Sequence, residues 1–144
     1  MGAALGDRFN LERFVEAQAG VYAQVCAELQ AGRKRSHWMW FVFPQVRGLG
    51  SSEMAVRYAI SGREEALAYL EHAFLGVRLR ECAEIVVGVQ GRTVEEIFGY
   101  PDDLKFHSSM TLFAEVEGPA ERVFHEALRR YFSGKMDQAT LERI

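Results

Sequence analysis

Apolar residues recur at helical spacing along most of this chain, and that period restricts the fold before any motif is weighed. Leu11, Phe14, Val15, Tyr22, Val25, Cys26 and Leu29 follow one another at intervals of 3, 1, 7, 3, 1 and 3 residues. Such a one-sided stripe predicts a single helix from an Asn10 cap to a stop at Gly32. Ser52 and Glu53 open a short helix to Ile60, with Ala55, Tyr58 and Ala59 inward. Ser61-x-x-Glu64 has the form of a capping box ahead of residues 65–70. Leu75, Leu79, Cys82, Ile85, Val86 and Val89 mark a longer helix that ends near Gly91. Thr93-x-x-Glu96 starts a brief helix that stops at Gly99. Pro101 then takes the first-turn position of a helix whose dipole favours Asp102 and Asp103, with Leu104, Met110, Leu112 and Phe113 on its apolar side. Pro119 opens another, carrying Val123, Phe124, Leu128, Tyr131 and Phe132 as far as Gly134, and residues 137–144 supply a last turn or two.

Residues 37–43 run through seven consecutive large side chains, which suit a buried strand or a short buried helix equally well. No partner strand is evident elsewhere, so a helix is favoured, and Pro44 ends the element in either case. Seven or eight modest helices with short connections predict an all-α fold, a compact single-domain bundle over residues 9–144 behind a flexible N-terminus at residues 1–8.

Composition narrows the class of function rather than naming one. The chain has 144 residues, 49% hydrophobic and 26% charged, as one soluble globular domain would. Its net charge of −3 supplies no global basic field, so nucleic acid could be held only by a local patch. No apolar run approaches the ~20 residues that cross a bilayer, and residues 1–8 lack a signal-peptide pattern. Cys26 and Cys82 lie within helical patterns among apolar neighbours, which fits reduced thiols and a cytoplasmic location.

The segment 33–52 concentrates the chemically capable groups. Arg33, Lys34 and Arg35 precede Ser36 and His37, and both tryptophans, Trp38 and Trp40, follow at once. Guanidinium and ammonium groups neutralise phosphate or carboxylate, and an indole face stacks on a planar ring. Gly48-x-Gly50 before Ser51 and Ser52 leaves backbone N–H groups free at a helix start, although no third glycine completes a dinucleotide fingerprint. A charged connection followed by core aromatics accounts for the same residues without any ligand.

Lys105 stands one helical turn from Ser108 and Ser109, a setting for ligand contact more than for catalysis, because no oxyanion hole accompanies it. His37, His72, His107 and His125 are widely spaced and no Cys-x-x-Cys exists, so no metal site is expected. Glu12 and Glu16 share a helix face, while Gln18 falls at the buried edge of the first helix, where its amide must find partners.

Several of these stretches resemble a known family. Arg33 to Gln45, Ile97-Phe98-Gly99, Pro101 to Lys105, Ser108 to Phe113 and the opening Phe9 to Gln18 are similar to the motifs of the bacterial domain-of-unknown-function family numbered 1810, over roughly residues 7–144. The resemblance implies a small, mainly helical cytoplasmic domain and carries no established activity. Some members of that family bear the label calpastatin, but no segment here resembles a disordered protease-inhibitor repeat. A fainter likeness, confined to residues 12–18, is to a helical family associated with NAD and ADP-ribose metabolism.

The leading expectation is a domain that binds an anionic or nucleotide-like small molecule, with or without catalysis. Arg33, Lys34, Arg35, His37, Trp38, Trp40, Ser51, Ser52, Lys105 and Ser108 are its candidate ligand residues. A protein-interaction module anchored by the aromatic segment, including self-association into a homo-oligomer, is the alternative. Single-stranded nucleic-acid binding by the basic-aromatic patch ranks last, against the acidic net charge. No cofactor and no membrane partner is expected.

Overall fold

A computed structural model describes residues 6–118 and 122–144. Ten helices are bounded within the described residues: α1 (Glu12–Gln18), α2 (Tyr22–Gln30), α3 (Met39–Val42), α4 (Glu53–Arg57), α5 (Arg63–Glu71), α6 (Leu75–Gly88), α7 (Val94–Phe98), α8 (Asp102–Glu117), α9 (Arg122–Phe132) and α10 (Gln138–Leu141). The chain is all-α, and the count exceeds the expected seven or eight, in part because the expected first helix is two. Pro119, expected to open α9, and residues 1–5 of the expected flexible start lie outside the described residues.

Helix α8 is the axis. Phe106 and every residue from Ser108 to Ala114 are buried, so this helix is covered on all sides rather than along one stripe. Helices α5, α7, α9 and α10 pack against it, while α6 packs on α2, α5 and α9, and α3 lies against α1. Leu104, assigned to the apolar side, is instead half exposed, because it precedes the buried part of α8. Aromatic rings fill the centre: Phe106 meets Phe98 at 4.7 Å and Phe43 at 5.0 Å between centroids, and Tyr69 meets Phe14 edge-on at 5.1 Å. Such edge and offset contacts add to the area that these rings remove from water.

The single first helix expected from residues 10–32 is two. The stripe survives, but Gly20 takes φ +82° between α1 and α2, and the chain turns there. Asn10 is not the cap either, since its own backbone is left-handed at φ +55°. The Asp7 carboxylate caps instead, accepting the backbone N–H of Leu11 at 2.6 Å and of Glu12 at 3.0 Å. The Ser61/Glu64 capping box does not form: Gly62 occupies the cap position, and Glu65 accepts the Ser61 N–H at 2.8 Å. The Thr93/Glu96 box forms with both of its hydrogen bonds. Residues 39–42 are helical, as favoured, and α3 ends ahead of Pro44.

Helix α6 crosses the end of α5 at Gly76, and the approach is close. A Cβ at Gly76 would stand 2.0 Å from the Leu70 carbonyl oxygen and 2.9 Å from Nη1 of Arg80, which donates to that same oxygen. Gly76→Ala is therefore expected to destabilise by about 3 kcal/mol, since two backbones must separate to admit a methyl group. Urea unfolding of the wild type and the variant measures it, and a loss below about 1 kcal/mol would contradict the close crossing.

Candidate functional site

The segment 33–38 owes its course to one buried carboxylate. Glu28, in the last turns of α2, accepts hydrogen bonds from the backbone N–H of Arg35 (2.8 Å) and Ser36 (3.1 Å), the Ser36 hydroxyl (2.6 Å), the Trp38 indole N–H (2.9 Å) and the Gln24 amide (3.0 Å). Burial works to raise the Glu28 pKa, but those donors outweigh it and bring it down from 4.5 to about 2. Trp38 is thus a core residue tied to Glu28, not a ligand platform. Arg33, Arg35 and His37 are exposed on the surface of this connection.

Lys34 turns inward. Its ammonium lies 2.8 Å from Oδ2 of Asp102, with only 8% of its side chain exposed, and 5.1 Å from the Trp38 ring centroid. Asp102 also takes Lys105 on its other oxygen, at 3.2 Å. The Lys105 ammonium stands 5.1 Å from the Trp40 ring centroid. Asp102, explained from sequence by the helix dipole alone, therefore joins the 33–38 connection to α8 and to Trp40.

Beside this chain of charges opens a cleft of about 480 Å³. Trp40, Gln45, Leu49 and residues 50–52 form one wall. Pro101, Leu104, Lys105 and Ser108 of the 101–108 stretch form another, and Asp137 and Ala139 close one end. The 45–52 loop is held from behind by a parallel bridge between Val46 and Ile60, with Arg47 N–H donating to Ile60 (2.8 Å) and Ile60 N–H to Gln45 (2.9 Å). Gly48, at φ +98°, sits so close to Arg143 that an added Cβ would fall 2.9 Å from its Nε. Ser52 spends its hydroxyl as an acceptor for the Ala55 N–H at 3.1 Å.

Five of the ten residues anticipated from sequence thus converge on the cleft: Trp40, Ser51, Ser52, Lys105 and Ser108. Lys34 stands behind it through Asp102. Arg33, Arg35, His37 and Trp38 do not line it, because the cationic run is in an extended connection whose alternate residues diverge. Lys105 and Ser108 form no nucleophilic pair: the lysine goes to Asp102, and the Ser108 hydroxyl faces Asp137 (3.0 Å) and the Leu104 carbonyl (3.1 Å). Ser109 is fully buried away from the cleft, its hydroxyl without a hydrogen-bond partner among the described residues.

The model of a family described as protein of unknown function (DUF1810) matches residues 8–144. The chain belongs to the DUF1810 family. A crystal structure of the conserved hypothetical protein Rv1873 from Mycobacterium tuberculosis is similar to this DUF1810 chain at 60% identity, covering 94% of this chain and 96% of that one, with a TM-score of 0.92. No curated protein matches.

Of the DUF1810 cleft's polar side chains, two escaped the sequence reading. Asp137 was visible only as the start of a last turn, and Gln45 as the residue after Pro44. The one available signal was Asp137-x-x-Thr140, a helix-capping spacing, which announces a helix start and not a neighbouring cleft. Elsewhere, Gln18 finds the partners it needs: its amide donates to the Phe41 carbonyl (2.8 Å) and the Tyr69 hydroxyl (3.2 Å) and accepts from Arg78 (3.2 Å). His72 accepts the backbone N–H groups of Phe74 and Leu75 on Nδ1, at the start of α6. Among the described residues, no group of three His, Cys, Asp or Glu side chains converges to hold a metal ion.

Proposed function

We propose that this DUF1810 chain binds a small anionic molecule carrying a planar ring, in the cleft between Trp40, the 45–52 loop and the start of α8. The observation that carries this reading is the Lys34–Asp102–Lys105 chain, in which two ammonium groups share one carboxylate beside Trp40. The trio itself carries one net positive charge beside Trp40, apart from the cleft's own carboxylate at Asp137, and there a phosphate or carboxylate gains an ion pair and a ring lies against indole. The cleft volume falls within the range of small-molecule sites. The interaction-module alternative is weaker, since Trp38, Phe41 and Phe43 are buried and offer no exposed anchor. Both thiols are free, and among the described residues no helix is long and apolar enough to cross a membrane. Those features support a cytoplasmic place of action.

A thermal-shift panel of nucleotides, NAD, ADP-ribose, sugar phosphates and small carboxylates, run at two salt concentrations, tests the reading. A ligand at 100 times its Kd is expected to stabilise by about 2.7 kcal/mol. Lys105→Ala should abolish that gain and leave the fold intact, because Asp102 keeps its ion pair with Lys34 when Lys105 is removed. No shift across the panel, or a shift undiminished by Lys105→Ala, would refute it.

A further inference from the structure

The cleft has a second pole, and it is of opposite character to Lys105. Asp137 caps α10, and its Oδ2 accepts from the Ser108 hydroxyl (3.0 Å), the Thr140 hydroxyl (2.6 Å) and the Thr140 N–H (3.3 Å). Its backbone N–H donates to the Thr111 hydroxyl at 2.9 Å, so the residue is held from both sides. All three side-chain bonds fall on one oxygen. Oδ1 takes no donor from the described residues, and Asp137 lines the cleft. An ionised carboxylate accepts only, and both of its oxygens can take donors. Lys105 and Asp137, whose Oδ2 is bonded by Ser108, line the same cleft, so a cation and an open acceptor face one space. The serine hydroxyls and the Gln45 amide of the cleft can donate or accept, whereas Lys105 only donates and Asp137 only accepts.

We infer that the ligand carries an N–H donor as well as its anionic group, and that Asp137 Oδ1 receives this donor while Lys105 receives the anion. The inference rests on the cleft being a ligand site. The chemistry required is an amino group or ring N–H together with a phosphate or carboxylate on one small molecule, as in a nucleotide with an amino-bearing base or in an aromatic amino acid.

The test compares matched pairs that differ in this donor: adenosine monophosphate against purine riboside monophosphate, which has neither the amino group nor a ring N–H, and phenylalanine against phenylpropionate. The amino member of one pair is expected to bind wild type about tenfold more tightly, and the responding pair identifies the source of the ligand. Asp137→Asn separates a cleft contact from a structural one. The asparagine oxygen can still accept from Ser108 and Thr140, which turns its NH₂ group, a donor, into the place of Oδ1. This variant should lose the preference for the amino member of the responding pair. If Asp137→Asn fails to fold by circular dichroism, the wild-type comparison decides alone. Equal, Lys105-dependent binding of both members in both pairs overturns this inference and leaves the anion site standing. Absence of binding by all four overturns this inference, and absence of a shift across the wider panel overturns the anion site as well.

Discussion

Glu28→Ala is expected to destabilise the protein by about 4 kcal/mol and to release the 33–38 connection, although residue 28 touches nothing in the cleft. Five donors from four residues converge on this carboxylate, among them two backbone N–H groups and the Trp38 indole. Alanine leaves them in a site where Glu28 itself is only 7% exposed. Each stranded donor costs about 1–3 kcal/mol, reduced where water can reach it. The same network sets an acid limit. The Glu28 pKa is depressed in the fold, so its contribution is complete above about 4.5 and is lost as pH falls towards about 2. A depression of that size corresponds to about 3 kcal/mol of stability at neutral pH. Urea midpoints measured from pH 7 to pH 2 should therefore fall more steeply for wild type than for Glu28→Gln, which cannot ionise. Parallel curves would show that the network is not held by charge.

Arg13→Ala is expected to cost a similar amount, about 4 kcal/mol, because it leaves a buried carboxylate without its cation. The Arg13 guanidinium bonds Glu65 at 3.0 Å, and Glu65 has only 3% of its side chain exposed. The same guanidinium donates to the carbonyl oxygens of Phe9, Asn10, Arg57 and Ala59 at 2.7–2.8 Å. It therefore ties α1 to the end of α4 and, through Glu65, to α5. Arg13→Lys keeps the charge but not the planar fork and should recover less than half of the loss. Unfolding of both variants by urea measures this, and equal stability of Arg13→Lys and wild type would mean that charge alone matters.

The helical class, the core stripe of α1 and α2, the Thr93/Glu96 box and the stop at Pro44 were readable from the chain, because each depends on neighbours within about one or two turns. The break at Gly20 was not, since a stripe with a seven-residue gap fits one long helix or two short ones. Asp7 displaced Asn10 as the cap, and Glu65 displaced Glu64 at the start of α5. In each case several polar residues stood within reach, and the packing of the backbone chose between them.

The cleft divides along the same line. Sequence alone determined that cations and indoles crowd residues 33–40 and that an amine and a hydroxyl lie a turn apart at Lys105 and Ser108. It could not say which way an extended run of three cations would face. Lys34 turned to Asp102, more than sixty residues away, and Arg33 and Arg35 remained in solvent. Trp38 and Trp40, two residues apart, separated into core and cleft because Glu28 captured one indole N–H and Lys105 stood over the other ring. Asp137 entered the site only because α10 folds back on α8. Local spacing specifies helices through bonds that close within four residues, whereas charge pairing and burial are settled between segments distant in the chain.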